Sequence, residues 1–199
     1  RLISFDEKQN WKLLALAKRL KDKLPLKNEK LSYLLIIPTL RCDLSCSYCQ
    51  VSRAPLNAEG FDWDDTTIKK FHNYIDEMET DRIKIEFQGG EATLRPDLIK
   101  QVIDICENKF SETEFVICTN LLTISKEMDS IYRKDNVFIS TSIDGPEEVM
   151  DQNRTQNREQ ANHFFKNLDY VNKEYGSGKV SALPTITEKM LNNPKNLID

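Results

Sequence analysis

The chain reads as an α/β protein built on a parallel sheet. Short apolar runs alternate with longer stretches of helical periodicity between residues 33 and 186. That order gives parallel strands joined by right-handed helical crossovers. A second observation concerns the segments of unusual composition, each of which directly follows an apolar run. Three cysteines follow the first run, Gly89-Gly90-Glu91 the second, Thr119-Asn120 the third and Ser142-Ile143-Asp144-Gly145 the fourth. Parallel folds gather their ligand sites at the C-terminal ends of the strands, so one pocket lined by all four segments is expected.

Composition narrows the class. The 199 residues suffice for one domain with a sizeable core. Hydrophobic residues at 39% and charged residues at 30% suit a globular protein. Twenty-eight basic against 32 acidic residues give a net charge of −4, which argues against a nucleic-acid surface. No apolar run approaches the ~20 residues of a membrane span. Five cysteines, three of them clustered, point away from a secreted disulfide framework and toward a reducing cytoplasm.

The elements follow in order. Trp11, Leu13, Leu14, Leu16, Ala17, Leu20 and Leu24 recur at helical spacing, so residues 6–24 are expected to form an amphipathic helix that Pro25 stops. It belongs to an N-terminal helical extension, residues 1–30, ahead of a core domain, residues 31–199. Residues 33–37 are the first strand, which Pro38 ends. A helix over about 65–79, capped by Asp64 or Asp65, turns Ile68, Phe71, Tyr74, Ile75 and Met78 inward. Ile83, Ile85 and Phe87 alternate as the second strand. Pro96 opens a helix whose apolar side carries Leu98, Ile99, Val102, Ile103 and Cys106. Residues 115–118 form the third strand, 124–134 a short helix and 137–141 the fourth strand. A helix over 158–175 turns Phe164, Phe165, Leu168 and Val171 inward. Gly176-Ser177-Gly178 is a turn before a fifth strand over 179–186, and Asn193-Pro194 would start another helix. His72 and His163 fall on helix surfaces.

The chemistry concentrates in Arg41-Cys42-Asp43-Leu44-Ser45-Cys46-Ser47-Tyr48-Cys49, a C-x3-C-x2-C spacing on the loop that leaves the first strand. Three soft sulfur donors that close together suit a zinc ion or an iron–sulfur cluster. Structural zinc usually takes four protein ligands, often as two C-x2-C pairs, and the trio has no matching pair. At Gly89-Gly90-Glu91 the glycines permit close approach of the backbone or positive φ, and the carboxylate can accept from an ammonium group. Ser142 and Asp144 offer short polar side chains for ribose hydroxyls, and Arg154 a guanidinium for a carboxylate.

The cysteine spacing, with an aromatic residue before its last thiol, resembles the signature of the radical S-adenosylmethionine (SAM) enzymes. That resemblance implies a partial (β/α)6 TIM-like barrel, of which this chain supplies about five strands, truncated at the C-terminus. It implies that Cys42, Cys46 and Cys49 hold a [4Fe-4S] cluster whose open iron binds SAM. Gly89, Gly90 and Glu91 then receive the methionine amino group, and Tyr48 packs near the adenine. The segment Ser142-Ile143-Asp144-Gly145-Pro146, with Asp151-Gln152-Asn153-Arg154 after it, resembles the peptide-modifying branch that includes anaerobic sulfatase maturases. There the serine and arginine contact the ribose and methionine parts of SAM. Two departures stand out: Ala92 replaces a common proline, and Thr155-Gln156-Asn157-Arg158 replaces a glycine-rich step. The stretch Thr39–Arg53 is similar to the maturases of the His-Xaa-Ser system.

The reading that results is an enzyme that cleaves SAM reductively to a 5′-deoxyadenosyl radical and modifies a peptide or protein substrate. An electron donor such as flavodoxin or ferredoxin is its second partner, and neither nucleic acid nor membrane is one. Many such relatives carry a C-terminal domain with auxiliary clusters, so the chain reads as a fragment or a truncated form. The alternatives are a small-molecule substrate, or a zinc-stabilised, non-catalytic binding module with Cys106, Cys118, His72 or His163 as fourth ligand.

Overall fold

Alternation of side chains explains the strands that organise the chain. Arg82–Phe87 (β2) buries Ile83, Ile85 and Phe87 on one face and turns Lys84 and Glu86 to the other, as the period of a pleated strand requires. Glu112–Thr119 (β3) and Val137–Thr141 (β4) repeat the pattern with Phe115, Ile117, Val137 and Ile139 buried. Tyr33–Ile36 (β1) and Val180–Ala182 (β5) complete a five-stranded sheet in the order β1-β2-β3-β4-β5. Every pairing is parallel, with Ile36 opposite Phe87, Phe87 opposite Ile117 and Thr119 opposite Thr141. The α/β class and the five-strand partial barrel expected from sequence are therefore what the chain forms.

In this computed structural model, residues 18–19, 30–155 and 157–192 are described. The chain divides into two compact units, Arg1–Leu31 and Ser32–Asp199. In the first, Lys18 and Arg19 are helical. The rest of the helix expected over 6–24 lies outside the described residues, as does the helix start at Asn193-Pro194.

Helices Asp65–Glu77 (α1), Pro96–Lys109 (α2), Lys126–Tyr132 (α3) and Arg158–Tyr175 (α5) cover one face of the second unit's sheet. Their ends are dictated locally. Asp64 caps α1 by accepting from Thr67 N at 2.7 Å, Ser125 caps α3 through Met128 N at 3.1 Å, and Asn157 caps α5 through Gln160 N at 2.8 Å. Pro96 sits in the first turn of α2, where its missing N–H is harmless. Cys106 is fully buried in α2 and belongs to the core. His72 and His163 are exposed on α1 and α5. Two short helices, Glu147–Met150 (α4) and Glu188–Leu191 (α6), and a wide π turn at Asp151–Thr155 were not expected.

Three expectations need correction. Tyr74 is 45% exposed, because Phe71 and Ile75, one turn apart, already take the buried stripe of α1. β5 stops at Ala182 rather than running to 186. Pro184 has no N–H for the ladder, and Thr185 N donates instead to Asp144 Oδ1 at 2.9 Å. β3 begins at Glu112, three residues earlier than expected, because its first three residues, Glu112, Thr113 and Glu114, are polar and leave no apolar signal. Among the described residues no helix is long and apolar enough to cross a membrane.

Asp129 joins α3 to α5. Its carboxylate accepts from Arg133 Nε at 2.9 Å, from Tyr170 Oη at 2.8 Å and from the Tyr175 hydroxyl. Arg133 first, then the two tyrosines, hold the carboxyl well below the usual range. A depressed folded pKa stabilises above the unfolded value, about 3.9, and that stabilisation is lost as pH falls through the folded value. Asp129→Asn should therefore be less stable than the parent at pH 7, and urea midpoints should show the gap narrowing as the pH is lowered below about 4.

Candidate active site

The cysteine loop is laid down against the end of β2. Beyond the last ladder pair the two chains stay in register. Gln88 N donates to Ile36 O at 2.8 Å, Gly90 N to Thr39 O at 3.1 Å and Glu91 N to Arg41 O at 2.8 Å. A Cβ on Gly89 would lie 2.4 Å from Thr39 O, and one on Gly90 would lie 2.3 Å from Arg41 O and 2.4 Å from Leu40 O. Gly89 also has φ 136°, a conformation open to glycine alone at low cost. Both glycines are thus demanded by the chain's own approach to the loop that carries the thiols.

The outer side of the loop is fixed as well. Cys42 N donates to Ala54 O at 3.0 Å and Ala54 N to Leu40 O at 2.7 Å. Arg41 grips Asp62 with two bonds, Nε–Oδ1 at 2.9 Å and Nη2–Oδ2 at 2.6 Å, and reaches Leu56 O at 3.1 Å. Leu44 and Ala54 are buried beneath.

Cys42, Cys46 and Cys49 share the wall of one cavity of about 240 Å³ with Gly89, Gly90, Glu91, Ser142 and Arg154. Arg53, Gln88, Cys118, Thr119, Asn120 and Ser140 line it too. Tyr48 and Asp144 join this wall through Arg154. Arg154 Nη1 donates to Tyr48 Oη at 2.9 Å, and the Tyr48 hydroxyl donates to Asp144 in a short hydrogen bond. Ser47 N donates to Asn153 O at 2.9 Å, tying the loop to the π turn. Asp144 is 1% exposed and Arg154 8%. Burial, then the bond to Asp144, pushes the Tyr48 phenol up. Burial works against the Arg154 charge, but Tyr48, Cys46 and Asp144 hold the guanidinium protonated, above its ordinary range.

Glu91 is 3% exposed. Its Oε1 accepts from Thr93 N at 3.2 Å and Thr93 Oγ1 at 2.6 Å, and its Oε2 from Asn120 N at 2.7 Å. Burial pushes the carboxyl up, against the pull of those donors. The carboxylate that sequence assigned to an ammonium group is thus also the splice between the ends of β2 and β3. Oε1 already accepts twice from Thr93, so a further donor would come to Oε2.

The donor set decides which group fits. Burial, opposed by the Leu44 N–H and reinforced by Glu91, Asp43 and Cys46, pushes the Cys42 thiol up to about 12. Burial raises Cys46 too, opposed by Arg154. Among the described residues no three His, Cys, Asp or Glu side chains gather tightly enough to hold a single metal ion. Zinc brings its donors to about 2.0–2.3 Å from one point, whereas a cluster offers separate irons to separate thiolates. Three thiol donors on the wall of one cavity fit the cluster as a donor set.

A parallel partial barrel with three loop thiols, a Gly-Gly-Glu strand end and a buried arginine around one cavity defines a cofactor-dependent α/β enzyme core. The family model of the Radical SAM superfamily matches residues 36–190, and the chain belongs to that superfamily, whose cofactors are a [4Fe-4S] cluster and SAM. The family is related to the sulfatase maturases. The serine-type anaerobic sulfatase-maturating enzyme of Bacteroides thetaiotaomicron is 27% identical over 139 residues, 66% of this chain and 33% of that one. An uncharacterised protein of Methanocaldococcus jannaschii is 30% identical over 119 residues, 59% of this chain and 40% of that one. The chain thus spans less than half the length of the curated relatives it matches. Among solved structures, anSMEcpe with bound AdoMet superposes with a TM-score of 0.71 at 18% identity, over 84% of this chain and 47% of that one. The same protein with AdoMet and a peptide gives 0.68 at 18% identity, over 83% and 46%.

The residues named from sequence therefore meet at one place, with Tyr48 and Asp144 as supports behind the wall. Gln88 was not named as a site residue, and Cys118 only as a possible fourth zinc ligand. Thr119-Asn120 was marked as an unusual strand end, but the partners of Asn120 lie 29 and 77 residues away.

Gly90→Ala should press a methyl group into the Leu40 and Arg41 carbonyls, lower stability by roughly 1–3 kcal/mol and reduce iron uptake. Gly178→Ala, where a Cβ meets nothing within 4 Å, should change neither. Urea titration and iron analysis of the two variants check this.

Proposed function

We propose that this chain is the catalytic core of a cytoplasmic maturase that modifies a peptide or protein by radical chemistry. The carrying observation is the convergence of Cys42, Cys46, Cys49, Glu91, Ser142 and Arg154 on one cavity at the C-terminal ends of parallel strands. When bound, the cluster and SAM supply a reducing electron and a 5′-deoxyadenosyl radical that takes a hydrogen atom from the substrate. The protein's part is to bind, orient and shield.

In this reading Cys42, Cys46 and Cys49 hold the cluster. Gly89, Gly90 and Glu91 form the wall that receives the amino group of SAM, with the Glu91 carboxylate as its charge complement. Arg154, kept cationic by its neighbours, offers a planar fork to the carboxylate of SAM. Ser142 takes a ribose hydroxyl, while Tyr48 and Asp144 keep Arg154 in place. Reduced flavodoxin or ferredoxin supplies the electron.

A peptide substrate is supported by three likenesses: the named sulfatase-maturating relative, the solved neighbour with a peptide bound, and the resemblance of Thr39–Arg53 to the His-Xaa-Ser maturases.

The test is anaerobic reconstitution followed by reductant and SAM. The parent chain should hold iron and sulfide and release 5′-deoxyadenosine. Cys42→Ala, Cys46→Ala and Cys49→Ala should each abolish cluster binding and SAM cleavage, because the cluster is assembled on these ligands. Cys106→Ala, in the core, should keep both. Equal loss in all four variants, or stoichiometric zinc in place of iron, would overturn the assignment.

A further inference from the structure

We infer that Asn120 positions the cysteine loop, acting through Asp43. The role is positioning, since Asn120 reaches the loop through another side chain.

The carboxamide of Asn120 is used at both ends. Its Nδ2 donates to Asp43 Oδ1 at 2.6 Å, and its Oδ1 accepts from Leu122 N at 3.0 Å. Its backbone N–H is the donor to Glu91 Oε2 at 2.7 Å. Asp43 follows Cys42 directly, and its Oδ1 lies 3.8 Å from Cys42 Sγ. One residue at the end of β3 therefore holds both the Cys42 end of the loop and the Gly-Gly-Glu wall.

The platform under Asn120 is rigid. Leu121 is fully buried with φ 57°, a left-handed conformation that a bulky residue keeps only where its surroundings force it. Leu121 N donates to Thr119 Oγ1 at 3.0 Å, and Thr141 Oγ1 donates to Thr119 O at 2.8 Å. From α5, Asn167 Nδ2 donates to the carbonyls of Leu121 and Leu122 at 2.8 and 2.9 Å. Four contacts thus keep a strained turn whose effect is to aim Asn120 at Asp43. The other end of the loop has its own clamp, from Ser47 and Tyr48 to Asn153 and Asp144. Both clamps lie within the span from Cys42 to Cys49, and the Asn120 clamp is the one next to Cys42.

The experiment exchanges donor and acceptor. N120D keeps an oxygen for Leu122 N and the N–H for Glu91, so the turn survives, but it faces Asp43 with a second carboxylate. D43N in the same chain restores one donor and one acceptor, reversed. The first readout uses the metal-free chain: the rate at which a maleimide alkylates Cys42, with the buried Cys106 reporting global opening. With each rate taken on its high-pH plateau, where the thiol is fully ionised, N120D should speed Cys42 roughly tenfold, as loss of a charge-assisted bond implies, and leave Cys106 unchanged. The double variant should return Cys42 to near the parent rate. The second readout is iron release to a chelator after reconstitution, expected to be faster in N120D and restored by D43N. An unchanged Cys42 rate in N120D, no rescue by D43N, or a joint rise of Cys42 and Cys106 overturns the inference. The iron readout rests on the function proposed above. Should the parent chain take up no iron, that function falls, while the alkylation comparison still decides whether Asn120 holds the loop.

Discussion

The site depends first on the contact between Gly89-Gly90 and the backbone of Thr39–Arg41. β1 and β2 lie side by side in parallel, and past their ends no ladder obliges the two chains to stay together. They stay because two residues without a Cβ allow carbonyl oxygens within about the space a methyl group would fill. Three backbone hydrogen bonds then continue the register from Ile36 to Arg41. Each contributes a net of about 0.5–1.5 kcal/mol, so the contact matters for placement more than for stability. Cys42 comes one residue later and inherits its position from this seam.

Charge buried around the loop is the second constraint. Asp144, Arg154 and Glu91 have almost no access to solvent, and such groups are tolerated only with partners. Each has them, and each has at least one from a distant part of the chain. Asp144 takes the Tyr48 hydroxyl and Thr185 N, Arg154 binds the Tyr48 oxygen, and Glu91 takes Thr93 and Asn120. Fold and site are therefore coupled. The polar network closes only when the ends of β1, β2, β3 and β4 have been brought together by the sheet, and the loop then finds its partners already aimed.

Much of this was legible in the sequence. Alternation of Ile83, Ile85 and Phe87 marked β2, the Pro96 start marked α2, and the run from Val137 to Thr141 marked β4, because those elements bury a regular apolar face. The four strand-end segments were visible as departures from that regularity, and they do converge. What stayed hidden depends on distant partners. Glycine at 89 and 90 announced close approach, but not that the approaching object was the chain's own loop. Thr119-Asn120 stood out as a strand end, but nothing near Asn120 in sequence reveals Asp43, 77 residues away. The π turn bearing Arg154 had no periodic signal to show it, and the early end of β5 follows from Thr185 being drawn to Asp144.

The central claim is that the protein's own contacts hold the cysteine loop in place before any cofactor binds. Backbone hydrogen exchange of the metal-free chain, resolved by residue, tests it most directly. The amides of Cys42, bonded to Ala54 O, of Ser47, bonded to the π turn, and of Gly90 and Glu91, bonded across the seam, should exchange far more slowly than an unstructured loop, with protection approaching that of the β-strands. Exchange of those four amides at the rate of an open loop, while β2 and β3 remain protected, would contradict it.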